Sequence, residues 1–289
     1  MTRVVQFHGD GAAASAYAEG NRVEGWLNPT AAHITIELAR AVGVRGRPVC
    51  EIGVHHGKFA ILLGLLSGAR VVGFDLFERQ AENEDDSGAG DRRIFLHNAV
   101  AHGLSADNVV PISANSLELT ANKTIEHCGG KPVLFSIDGG HTEQLTANDL
   151  RIAADAVAED GIVILDDVFH AGFPGVVSGL FAFLAERPEA LHPVCIGGGK
   201  LFLARNAANA QRLQAALRML RPRETGLARP EAHRFCGRDV LVVKPAPARH
   251  SVRQIVTETD LWRRVRKTSA GIAVRRTFAL LRHRARLLR

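Results

Sequence analysis

Five short apolar runs separated by longer helical patterns constrain this 289-residue chain more than any other feature of it. They are Pro48–Ile52, Arg70–Asp75, Asn108–Ser113, Pro132–Asp138 and Gly161–Asp166, each largely apolar through its interior instead of alternating. Such runs suit strands buried on both faces, and burial on both faces needs helices above and below a parallel sheet. Helices are expected at Lys58–Leu66 and at Gln144–Ala158, the second keeping Ile152, Ala153, Ala156 and Val157 on one face. Phe181–Ala185 continues as helix, and His192–Ile196 and Lys200–Ala204 flank Gly197-Gly198-Gly199 as a hairpin. The expected fold is therefore α/β: a Rossmann-like, mostly parallel sheet with an antiparallel last strand, followed by a C-terminal helical extension.

Charge narrows the partners. The net +6 is uneven: residues 251–289 carry a balance of +9 and the rest of the chain −3. A mildly acidic body does not suit a nucleic-acid substrate. No run of about 18 uncharged apolar residues offers a membrane span, and the first twenty residues lack the apolar core of a signal peptide. Cys50, Cys128, Cys195 and Cys236 are scattered without a CxxC pair, which fits a reducing, cytoplasmic setting. The expected division is an N-terminal segment 1–20, a main domain 21–205, an extension 206–250 and a basic tail 251–289. Within the extension, Ala210–Leu220 reads as helix and Asp239–Lys244 as a strand, while Gln80–Gly90 in the main domain reads as a mobile loop.

The first strand leads into Glu51-Ile52-Gly53-Val54-His55-His56-Gly57 and then a helix. Glycines let the backbone turn tightly and approach a ligand, as in nucleotide-binding turns. The spacing is E-x-G-x-x-x-G, with an acid where dinucleotide binders carry their first glycine. An acid repels a pyrophosphate but accepts hydrogen bonds from an ammonium-bearing ligand, which favours S-adenosylmethionine. Glu51, Gly53, Val54 and Gly57 are thus cofactor candidates. Asp75, ending the second strand, is placed to take a ribose diol, and Ser116 to lie near the adenine. Of His55 and His56, at most one is expected to face the ligand.

The fourth strand runs into Asp138-Gly139-Gly140-His141 and the fifth into Asp166-Asp167. If the strands are neighbours, three carboxylates meet at one sheet edge, and acids that close call for a divalent cation or a raised pKa. An all-oxygen set suits Mg²⁺. His141, beyond two glycines, is the candidate general base for a hydroxyl acceptor.

The runs Glu51–Lys58, Ile137–His141 and Asp166-Asp167 with Phe173-Pro174-Gly175-Val176 resemble the bacterial class I methyltransferases of the type 24 domain family. Val23–Leu27 and Lys200–Leu203 fit its flanking segments, so the likeness spans roughly residues 20–205. The resemblance implies S-adenosylmethionine as cofactor, a reversed final strand, Asp138, Asp166 and Asp167 on a magnesium ion, and His141 as base. It also implies a sugar, glycoside or glycan acceptor, although related proteins tailor cephalosporins. Two other readings of the same residues are a metal-dependent hydrolase and a non-enzymatic adaptor that keeps the fold.

In the tail, Val274, Phe278, Leu281, Ala285 and Leu288 fall on one helical face amid arginines. Such a helix suits peripheral contact with an anionic membrane, a partner protein, or the interface of a homo-oligomer.

Overall fold

β1 (Val49–Ile52) lies inside a nine-stranded sheet because both of its faces are apolar, with Val49, Cys50 and Ile52 all buried. A computed structural model describes residues 12–221 and 225–246; the expectations for the tail 251–289 lie outside the described residues. Parallel pairing spreads from β1 to β2 (Val71–Asp75) and β3 (Val109–Ser113) on one side, and to β4 (Leu134–Ile137) and β5 (Ile162–Leu165) on the other. The five expected strands are thus present, slightly trimmed at their ends. The chain crosses over between them through α3 (Lys58–Ser67), α4 (Arg92–Ala101), α5 (Ala121–Cys128) and α6 (Glu143–Ala156). Strand order reverses between β1 and β4, and an open parallel sheet binds ligands in the crevice outside such a reversal.

After α7 (Pro174–Glu186) come β6 (His192–Gly197) and β7 (Lys200–Ala204), a hairpin as expected. β7 inserts antiparallel between β5 and β6, giving the order β3-β2-β1-β4-β5-β7-β6. The sheet does not stop there: beside the expected helix and the expected strand near 239–244, the extension adds a further strand that a helical description of it left out. After α8 (Ala207–Arg218), β8 (Glu231–Phe235) and β9 (Arg238–Val242) form a second hairpin, and β9 pairs parallel to β6 through Cys195↔Leu241 and Ile196↔Val242. Gln214 of α8 fastens this addition: its side-chain amide donates to the carbonyl of Pro193 at 3.2 Å and to that of Asp239 at 3.0 Å.

The two faces of the sheet have separate cores. Along β5, Ile162 and Ile164 join the layer of α2 (Pro29–Val42), α3 and α8, while Val163 and Leu165 join that of α6 and α7. Phe74, Phe95, Phe135, Phe183 and Phe202 are wholly buried. Each such ring contributes roughly 1.5–3 kcal/mol relative to exposure. α2 opens at Asn28, whose side chain accepts from the Thr30 amide at 2.8 Å, with Pro29 in the first turn. α1 (Ala12–Gly20) is tied on by the Tyr17 hydroxyl, which donates to the Lys58 carbonyl at 2.8 Å. All four cysteines are free, and no described helix is long and apolar enough to cross a membrane.

Candidate active site

Ile52 and Ile137 are register partners, so Gly53 and Asp138 stand side by side where β1 and β4 end. Gly53 has φ +84°, and a Cβ there would lie 1.8 Å from the Asp138 carbonyl oxygen. Only glycine lets the two strand ends close up in this way. Over them opens a cavity of about 530 Å³, ample for a small organic ligand.

Gly53, Asp75 and Ser116 of the expected cofactor set line this cavity; Glu51, Val54 and Gly57 lie behind its wall. Glu51 is 2% exposed beneath the floor, where its Oε1 accepts from the Ser136 hydroxyl at 2.9 Å. Burial, reinforced by Asp138, pushes its carboxyl well above the usual carboxylate range. Val54 is buried against Gly73, and the ring of Phe95 sits 2.2 Å from where a Cβ on Gly57 would be. These three residues are therefore held by packing as well as by their place in the loop.

Asp75 accepts one backbone hydrogen bond on each oxygen, from the His55 amide at 2.8 Å and the Phe77 amide at 3.1 Å. A carboxylate has about four lone-pair sites, so room remains for a ribose diol. Only His55 of the histidine pair lines the cavity, in line with expectation. The two rings nevertheless do not point apart. His55 takes a left-handed backbone conformation (φ +52°), and the rings stack with centroids 3.9 Å apart.

Asp138, Asp166 and Asp167 all reach the cavity; the first two share Lys200 and the third faces His141. Asp166 pairs with the ammonium of Lys200, a residue 1% exposed that also lies 3.9 Å from Asp138 and 4.5 Å from the centre of the Phe59 ring. The other oxygen of Asp166 accepts from the Asp167 amide at 2.9 Å. Burial opposes the Lys200 charge, but Asp138 and Asp166 outweigh it and raise the ammonium pKa. Burial pushes Asp138 up to about 8 despite Lys200. Asp167 (φ +54°) turns toward His141, and hydrogen bonding to that ring holds its carboxyl low.

His141 lies between two carboxylates. Its Nδ1 is 2.9 Å from an Asp85 oxygen that also accepts from the His141 amide at 2.6 Å, and its Nε2 is 3.4 Å from Asp167. The Phe173 ring stacks on it at 3.8 Å. Burial alone would lower the imidazole pKa; hydrogen bonds to Asp167 and Asp85 overcome it and raise the pKa above the ordinary value. A carboxylate on Nδ1 fixes both orientation and tautomer, leaving Nε2 to exchange a proton.

Asp138, His141 and Asp167 bring ligand atoms within 4.8 Å of one another, so a divalent ion fits these three. Asp166, expected in the metal set, is instead engaged by Lys200. Sequence reasoning missed two residues. Lys200 opens an apolar strand directly after three glycines, an odd place for a charge. Asp85 lies in the segment read as a mobile loop, yet Asn83, Asp85 and Ser87 bond locally, with the Ser87 amide donating to Asp85 at 3.0 Å.

A family model described as a methyltransferase domain matches residues 50–168. Among solved structures, the O-methyltransferase NovP is 15% identical, covering 60% of this chain and 80% of its own, with a TM-score of 0.48. The O-methyltransferase TomG from Streptomyces achromogenes, involved in tomaymycin synthesis and solved with S-adenosylmethionine, is 17% identical over 68% of this chain and 90% of its own, at 0.47. CalS11, a TDP-rhamnose 3'-O-methyltransferase of calicheamicin biosynthesis, is 20% identical over 60% and 77%, at 0.44. No curated protein matches the chain.

Proposed function

From the methyltransferase domain at residues 50–168, we infer that the chain is an S-adenosylmethionine-dependent O-methyltransferase acting on a hydroxyl of a sugar, glycoside or glycan. The observation that carries this reading is a single cavity shared by two sets of residues. One is Gly53, Asp75 and Ser116; the other is Asp138, His141 and Asp167. The first set suits a nucleoside, with Asp75 on the ribose diol and Ser116 near the base. The second suits deprotonation of an acceptor.

The sulfonium of the donor supplies a methyl group already activated for transfer. What remains for the protein is to hold the acceptor oxygen in line and take its proton. Nε2 of His141 takes that proton once the hydroxyl stands where Asp167 now faces it, and Asp85 steadies the imidazolium through Nδ1. Lys200 offsets the charge of Asp166 and Asp138 next to the reacting oxygen. A magnesium ion would be held by Asp138 and Asp167, where it would acidify a bound hydroxyl. Trp26, 78% exposed on the cavity rim, offers a flat apolar face of the kind that packs on a sugar ring.

Calorimetry with S-adenosylmethionine tests the donor, and absence of binding at high micromolar concentration would defeat the assignment. His141→Gln is expected to bind the donor normally while methyl transfer falls about 10²–10⁴-fold. If donor binding falls with turnover, His141 is a structural residue and the base lies elsewhere.

A further inference from the structure

We infer that Glu24, His55 and His56 form a separate metal site, suited to a zinc-type ion, that pins the Trp26-bearing segment to the loop following β1. Their candidate ligand atoms lie within 4.8 Å of one another. The site is built from both sides. Nζ of Lys58, at the start of α3, donates to the Val23 carbonyl at 2.8 Å and the Gly25 carbonyl at 2.9 Å. Those bonds flank Glu24 and clip its backbone down, while its side chain stays exposed and brings Oε2 to 3.3 Å from Nδ1 of His56.

On the other side, the left-handed turn at His55 folds its ring onto that of His56, so two imidazoles are presented together. His56 is 8% exposed. The Nδ1 atoms of both rings are buried and make no well-aligned hydrogen bond, that of His56 facing the Glu24 carboxylate at 3.3 Å. Buried nitrogens are nearly always satisfied, so two such atoms beside one carboxylate suit a shared ligand. A cation answers all three groups at once.

Two imidazoles and one carboxylate form a zinc-type donor set, and three protein ligands leave a fourth position open. Magnesium, which favours oxygen, fits here less well than at Asp138 and Asp167. An ion at this place would fasten residues 23–27 over the loop, and with them Trp26 and Leu27 on the cavity wall.

The test is a titration of the full-length, untagged chain with Zn²⁺ in competition with a chromophoric chelator. Glu24→Gln, His55→Ala and the double variant Asp138→Asn/Asp167→Asn run alongside. Wild type and the double variant are expected to bind one zinc with equal affinity. Glu24→Gln and His55→Ala are expected to weaken it well beyond about tenfold, the floor for disturbing even a ligand's hydrogen-bond partner. The visible spectrum of bound Co²⁺ is expected to change in those same two variants only. Glu24 is exposed, so Glu24→Gln keeps its fold, which circular dichroism checks. Wild type that binds no zinc at micromolar concentration, or affinity unchanged in both Glu24→Gln and His55→Ala, would overturn the proposal.

Discussion

The loop after β1 and the edge formed by β4, β5 and β7 face the same cavity, yet they are held in place by different means. In the loop, position comes from backbone: Gly53 against the Asp138 carbonyl, Gly57 against the Phe95 ring, the His55 amide on Asp75. At the edge it comes from paired charge: Lys200 with Asp166, and His141 between Asp85 and Asp167. Backbone packing tolerates no added atom, whereas a charge pair tolerates shape change but not loss of one partner. The first arrangement makes a fixed cradle. The second leaves groups whose protons can move, as the proposed methyl transfer to a hydroxyl requires.

Substitutions at the two places put that contrast at risk in graded steps. Gly53→Ala is expected to be the most damaging, because the new Cβ meets backbone atoms of Asp138 that have no rotamer to give. A loss of at least about 5 kcal/mol in urea unfolding is expected, or no folded protein at all. A well-folded Gly53→Ala chain would mean that the strand ends can part. Lys200→Met keeps most of the volume but strands Asp166, and Asp138 wherever it ionises, at a cost of about 3–5 kcal/mol near neutral pH. The sign with pH follows from Asp138, whose pKa is raised: its protonated form is the favoured one in the fold. The deficit of Lys200→Met should therefore shrink as acid neutralises the carboxylates, and grow as pH rises through about 8. An equal deficit at both ends of that range would separate Lys200 from the acids.

Asp85→Asn probes the mobile-proton side more gently. The proposed base, His141, must be neutral to act, so activity is expected to fall in acid with a midpoint above the ordinary 6.5 of a histidine. Removing the Asp85 charge moves that limb to lower pH and reduces turnover on the order of tenfold at its plateau. A pH profile identical to wild type would show that Asp85 acts on the loop alone. Gly43→Ala supplies the smallest effect and the sharpest control on the cradle. Gly43 also has positive φ (+63°), but nothing lies within 4 Å of its missing Cβ. Only the backbone conformation is charged for, about 1 kcal/mol in thermal or urea unfolding.

The strands around the crevice could be read from sequence because burial on both faces leaves a continuous apolar run. β8 could not: Glu231, Ala232, His233 and Arg234 are exposed and pair on one side only, so nothing marks them as strand. α7 begins at Pro174, well before Phe181, and its opening was obscured by Gly175 and Gly179. Both are small because the helix passes against the backbone of His141 and Glu143. The acids at the sheet edge were legible from their place after strands. Their partners were not, since Asp85 and Lys200 are remote in sequence and meet the site only through topology.

The hairpin added after α8 has one more effect. Without it, β6 would form the margin of the sheet, and β6 carries Val194 and Cys195, both fully buried. With it, the last strand is β8, where Glu231 pairs with Lys244 at 2.9 Å and Arg234 with Asp239 at 3.2 Å. An open row of amides and carbonyls invites a stray strand from another molecule, and a fringe of charge discourages it. The extension thus guards the protein against edge-to-edge aggregation, replacing a sticky apolar border with one that prefers water.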